Sequence, residues 1–172
     1  SDSDLLGANL VGADLEGANL SNANLSGADL SGTNLKNANL KNSKLFGTKL
    51  FGAILENADL SFSQIEGSNF SGSIMQNVIL TEVNLSEGIF EGVNLSNAKL
   101  NDRDLSKIRF HNAILKDVDL TNSDLSNGDL SNAYLNSASL TNANFQNANL
   151  FSTDFGGTDL TNADFSGADL RQ

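Results

Sequence analysis

Every fifth residue from Leu5 to Leu170 is Leu, Ile, Phe or Met, without an interruption or an inserted residue. The position two before each of these centres is small, running Ser3, Ala8, Ala13, Ala18, Ala23 and Ala28 at the start of the chain. A helix needs apolar spacings of three and four, and a strand needs strict alternation. A pure period of five meets neither template. Two inward positions separated by one outward residue describe a very short strand, and the remaining two residues must turn a corner.

The corner chemistry agrees. The second residue after each centre is Gly or Asn in most repeats, as at Gly7, Gly12, Gly17 and Asn22. A type II turn demands positive φ at its second central residue, which Gly and Asn adopt most cheaply. The exceptions are Phe62, Glu82, Glu87, Asp102, Lys107, Asp117, Ser137 and Ser152. Between residues 82 and 117, where they cluster, type I-like turns are expected instead.

Ala13-Asp14-Leu15-Glu16-Gly17 and Ala163-Asp164-Phe165-Ser166-Gly167 resemble the A(D/N)LXX motif of the pentapeptide-repeat family, and the resemblance spans the chain. It implies an all-β fold, a right-handed quadrilateral β-helix in which four pentapeptides make one coil of 20 residues. The chain is then a single domain over residues 1–172, of about 8.5 coils, with no helical caps evident.

A 20-residue register also makes stacked positions chemically compatible. Glu16, Lys36 and Glu56 alternate in sign, and Asp29/Lys49, Lys99/Asp119 and Arg109/Asp129 are opposite-charge pairs one coil apart, with Asp104 over Asp124 the like-charge exception. Ile108 occupies an inward position normally filled by Ala, and Gly88 and Gly128 one coil away on either side conserve the volume. Phe70, Phe90 and Phe110 are expected to form an aromatic ladder inside one face, and Asn37, Asn57, Asn77 and Asn97 an amide ladder at one corner.

Composition narrows the functional classes. The formal charge is −11, from 21 acids against 10 bases, which disfavours direct binding to nucleic acid or an anionic membrane. There is no Cys, so disulfides and thiolate metal sites are excluded and the redox compartment is left open. No basic, apolar leader and no apolar run of bilayer-spanning length occurs in the chain as given, so the expected location is cytoplasmic by default.

Any function rests on outward positions. Ile54, Ile74, Ile114 and Tyr134 share one outward column, interrupted by Asn94, with Phe51 just around the preceding corner. This stripe is the candidate interaction surface. Phe46, Phe62 and Phe151 also occupy corners. Asp154, Asp159, Asp164 and Asp169 fall on the four successive faces of the last coil as a candidate acidic belt, which can also serve to oppose end-to-end pairing. Arg103 stands at an inward position, so either it swings out or the coil is distorted. The sole histidine, His111, is expected at an exposed corner with no second ligand beside it.

The carboxylates are spread over four faces and converge in no cleft, so no catalytic, cofactor or metal site is expected and the chain is read as non-enzymatic. The leading reading is a structural or protein-interaction solenoid with an unknown protein partner. The alternative follows from the resemblance: some pentapeptide-repeat members imitate B-DNA, bind DNA gyrase or topoisomerase IV and protect against quinolones. Duplex DNA carries roughly 24 charges over about 40 Å, however, more than twice the charge of this chain over the same expected length. The chain also lacks the C-terminal helical dimerisation segment and the insertion loops of those members. The expected association state is a monomer, or an end-to-end dimer through an uncapped coil, with the N-terminal coil and its outward Leu6 and Val11 the candidate end.

Overall fold

The computed structural model describes residues 1–86 and 88–172. Every parallel bridge joins residues 20 apart, beginning Asp4 to Asn24, Asn9 to Asp29, Asp14 to Asn34 and Asn19 to Asn39. Four short strands therefore complete one coil, and the fold is a right-handed quadrilateral β-helix. Two compact units, Ser1–Ile89 and Phe90–Gln172, are each built this way. Strand pairing lapses only at Val83–Leu85 among the described residues, inside the stretch where the sequence is least regular.

Each strand is one outward residue between two inward ones, and between the end coils of a unit its backbone groups bond to the coils on both sides. Leu5 donates its N–H to the Asn24 carbonyl at 2.8 Å, and Asn24 donates back to Ser3 at 2.9 Å. The corner closes when Ala8 N–H bonds the Leu5 carbonyl at 3.0 Å, with Gly7 at φ +63°. Positive φ at the second central residue alone is the type II turn the sequence implies.

The expectation of type I-like turns between residues 82 and 117 is wrong. Glu82, Asp102, Lys107 and Asp117 all take positive φ, at 56°, 58°, 62° and 55°. Glu87 lies outside the described residues. The reason is that the corner amide belongs to the ladder: Asp102, Lys107 and Asp117 donate to Thr121, Ser126 and Asn136 of the next coil at 2.9, 2.9 and 3.0 Å. A type I turn would aim that N–H elsewhere and orphan two backbone groups, which outweighs the roughly 1–2 kcal/mol cost of left-handed backbone.

The core is the stack of centres. Leu25 through Leu60 in the first unit and Leu95 through Leu150 in the second are essentially without solvent contact, as are the Ala residues facing them. Ile108 is buried, and a Cβ built on Gly128 would lie 3.4 Å from Ile108 Cγ2 and 2.9 Å from the Leu125 carbonyl oxygen, so the volume compensation holds within the second unit. Phe90 and Phe110 meet edge to face at 6.1 Å and 62° rather than stacking in parallel. The aromatic stack occurs instead in the last coils, where the Phe145 and Phe165 rings are parallel and stacked at 5.1 Å and Phe155 meets both rings edge-on.

Buried hydroxyls at the small inward positions divide into two kinds. Thr33, Thr48, Ser123 and Thr153 donate to the carbonyls of Leu10, Leu25, Leu100 and Leu130 at 2.6–2.8 Å. Ser68 does the same to Leu45. Ser43, Ser63 and Ser73 are buried with no partner.

Two substitutions test this account. Lys107→Asn relieves left-handed strain while keeping the ladder N–H, and is expected to stabilise by about 0.5–1 kcal/mol, raising Tm by about 2–4 °C. Gly128→Ala is expected to destabilise by about 1–3 kcal/mol, and by at least about 1 kcal/mol less in an Ile108→Ala background. Chemical denaturation of the four variants of that cycle measures the coupling, and strict additivity would refute the packing argument.

Candidate functional site

The outward residue of each strand does more than face solvent. Where it is Asp or Asn, its Oδ1 accepts the N–H two residues on, as in Asp29 to Ser31 at 3.1 Å, Asp59 to Ser61 at 3.0 Å and Asn69 to Ser71 at 2.9 Å. This side-chain turn braces the strand's exit into the corner. Amides also bond along the stack: Asn162 to Asn142 at 3.1 Å, Asn142 to Asn122 at 2.9 Å, and Asn122 to Asp102 at 2.8 Å. The amide ladder therefore runs down the Asp102 corner. In the column expected to carry one, Asn57 bonds Asn37 at 3.4 Å.

Ion pairs close in the first unit. Lys36 meets Glu56 at 2.9 Å, Lys41 meets Asp59 at 3.0 Å and Lys49 meets Asp29 at 3.5 Å. Lys99 and Asp119, like Arg109 and Asp129, are bridged in register, yet neither forms an ion pair among the described residues. Asp129 Oδ1 is already occupied by Ser131 and Asn149, and Asp119 Oδ1 by Thr121.

The apolar stripe divides between the units. In the first, Ile54 and Ile74 are bridged neighbours; Ile74 is 39% exposed and Ile54 half-buried, while Phe51 is 61% exposed and its ring lies near Gly72. In the second unit Ile114 and Tyr134 are bridged neighbours at 39% and 53% exposure. Ile79, exposed on the adjacent outward row beside Asp59, is a further apolar side chain that the sequence reading passed over.

Arg103 is half-buried, and its carbonyl accepts Asp124 N–H at 2.9 Å, so the ladder beside it is intact. His111 is not a bare surface residue: it is half-buried, with Nδ1 at 2.8 Å from Ser131 Oγ.

The four belt carboxylates are each committed to hydrogen bonds, within their own coil and, for Asp154, Asp159 and Asp164, also with the preceding one. Asp154 accepts from Asn136 and Gly156, both at 2.8 Å; Asp159 from Thr161 N and Oγ1 at 3.0 and 2.6 Å and from Thr141 at 3.2 Å. Asp164 accepts from Ser166 at 2.8 Å and Gln146 at 2.6 Å, and Asp169 is forked by Arg171 at 2.8 and 2.7 Å. These bonds hold all four below the ordinary carboxylate range. The recess beside Asp154 is lined by Ser152, Thr153, Phe155 and Gln172, and offers one carboxylate where paired-carboxylate chemistry needs two.

This geometry, four short strands per coil with an outward Asp or Asn bracing many of the corners, coincides with what family comparison finds. The description "Pentapeptide repeats (8 copies)" matches residues 1–37 and 38–77, and "Pentapeptide repeat region" matches 88–165. The chain belongs to the pentapeptide-repeat family. No curated protein matches this pentapeptide-repeat chain. Among solved structures it is similar to a trypsin-treated form of QnrB1, a plasmid-mediated fluoroquinolone resistance protein, at 22% identity and TM-score 0.65, covering 97% of this chain and 90% of that one. HetL from the cyanobacterium Nostoc sp. strain PCC 7120, described as involved in heterocyst differentiation regulation, is 26% identical with TM-score 0.54, covering 97% and 89%. No helix among the described residues is long and apolar enough to cross a membrane.

The carboxylate bonds set an acid limit on this pentapeptide-repeat protein. Each folded-state value lies below its unfolded reference of 3.8, so the stabilisation is complete above that pH and is lost as pH falls through the lowered values. Tm is expected to be flat from neutrality to about pH 4.5 and to fall steeply below it. Asp159→Asn keeps the Thr161 acceptor without the titration, and is expected to flatten the acid limb in a pH series of thermal melts.

Proposed function

We propose that this chain is a non-enzymatic protein-interaction solenoid whose partner contacts are the apolar outward residues Phe51, Ile54 and Ile74 of the first unit and Ile114 and Tyr134 of the second. The observation that carries this reading is the exposure of Phe51 at a corner and of Ile74, Ile114 and Tyr134 at strand positions, where most outward residues are Asp, Asn, Lys or Ser. Each such strand is held by backbone hydrogen bonds to a neighbouring coil of its own unit, so its side chain is presented at little further cost in backbone ordering. Aromatic and aliphatic anchors on a preorganised surface are the usual source of binding energy in protein interfaces.

A second reading, a DNA mimic acting on DNA gyrase or topoisomerase IV, is supported by the −11 charge and by belt carboxylates that stay ionised at every physiological pH. The fork between Arg171 and Asp169 weakens it by neutralising one belt charge.

The two readings separate experimentally. Photo-crosslinkers placed at Ile74 and Tyr134 are expected to capture the same protein, with capture lost in Ile74→Asp and Tyr134→Asp variants of unchanged Tm and kept when the belt is neutralised. A gyrase supercoiling assay at low and high salt supplies the converse arm. Salt-sensitive inhibition lost on changing Asp154, Asp159, Asp164 and Asp169 to Asn would displace the apolar-surface reading in favour of mimicry.

A further inference from the structure

Four consecutive positions of one outward row of the first unit are self-complementary: Asn9, Asp29, Lys49 and Asn69 are bridged in turn on a single face, with Ile89 next beyond the matched stretch. A two-fold axis lying across this face, midway between Asp29 and Lys49, reverses the row. Asp29 then meets the partner's Lys49, Lys49 meets the partner's Asp29, and each terminal Asn meets the other, amide to amide. The opposite choice, an axis along the coil stack, would put Asp29 on Asp29 and Lys49 on Lys49.

The groups needed across the dyad are available. Within one chain the Lys49 to Asp29 contact is long, at 3.5 Å, and the Lys49 side chain is 66% exposed, leaving ammonium protons for a second carboxylate. The corners on either side of the row are complementary in volume under the same dyad. Phe46 and Phe51, 39% and 61% exposed, flank Lys49, and one coil earlier Ser26 and Ser31 flank Asp29. The reversed row therefore lays each Phe over a partner Ser.

Close approach is also permitted. The left-handed corner positions bordering this face are Gly7, Gly27, Gly47 and Gly67 on one side and Gly12, Gly32, Gly52 and Gly72 on the other. Left-handed φ alone does not require Gly there, because Asn22, Asn37, Asn42 and Asn57 hold the same φ at the other two corners. Nor does internal packing, since a Cβ on Gly27, Gly32, Gly47 or Gly52 would meet nothing within 4 Å. What these glycines lack is anything projecting outward.

We infer that the Asn9–Asp29–Lys49–Asn69 face is an isologous homodimer interface, with a second copy of this chain packed antiparallel across it. Three coil spacings cover only about 14 Å, so the contact is smaller than a standard interface and its Kd falls in the micromolar-to-millimolar range. The inference shares Phe51, at the corner between the two rows, with the apolar surface proposed above; Ile54 and Ile74 of that surface lie on the next outward row.

Charge exchange in trans tests it. Lys49→Asp makes the row wholly acidic and Asp29→Lys makes it wholly basic, and Lys is already accommodated at this strand position by Lys44 and Lys49. Sedimentation equilibrium of the full chain up to about 1 mM is expected to show weak dimerisation of the wild type and at least tenfold weaker dimerisation of each variant alone. The equimolar mixture of the two variants is expected to recover heterodimer. Gly47→Asn with Gly52→Asn is expected to keep Tm within about 2 °C while weakening dimerisation at least tenfold. A wild type that remains monomeric throughout overturns the inference. So does association undiminished in the single variants, as an end-to-end dimer would show, or a mixture of folded variants that stays monomeric.

Discussion

The structure depends on one backbone group, the N–H of the second corner residue. In every described corner that residue is left-handed, which is the conformation that turns the chain through the corner and also points its amide at the neighbouring coil. Because one dihedral choice serves both purposes, it cannot be relaxed locally. Phe62, Lys107 and Ser152 adopt it despite their side chains, since the alternative removes a rung from the ladder. Gly and Asn are the inexpensive solutions to a requirement that the ladder imposes on whatever residue occurs there.

Side-chain polarity is subordinate to the same requirement. Outward Asp and Asn were read for their charge and for what they offer a partner, but their Oδ1 atoms are first spent on the turn N–H two residues ahead. That commitment explains why adjacent Asp104 and Asp124 tolerate one another: each carboxylate faces its own Ser N–H, at 3.0 and 2.9 Å. The acidic belt is thus made of carboxylates that hold the last coil together, and any partner must compete with those bonds.

A fold that fixes its outward rows this tightly makes surface chemistry nearly one-dimensional. Each row is a string of residues 20 apart, and its order along the coil stack decides what it can meet. The row of Ile54 and Ile74 offers apolar contact, whereas the row of Asp29 and Lys49 is ordered so that it matches itself in reverse. Inward rows follow the same logic of sums down a column, as Ile108 over Gly128 shows.

The sequence by itself determined the period, the 20-residue register, the inward centres and outward strand positions, though not the placement of Arg103, and the volume exchange at Gly128. All of these follow from hydrophobic spacing and residue size, which act the same way in any coil. Only the tertiary structure decided the turn type at Asp102, Lys107 and Asp117, the identity of the ion pairs that close, and the corner that carries the amide ladder. It also showed His111 half-buried against Ser131 and the aromatic stack at Phe145 and Phe165 instead of Phe110. These depend on which acceptor wins a given proton and which rotamer the neighbouring coil leaves open. That competition is among atoms 20 residues apart, and the spacing of residue types along the chain does not express it.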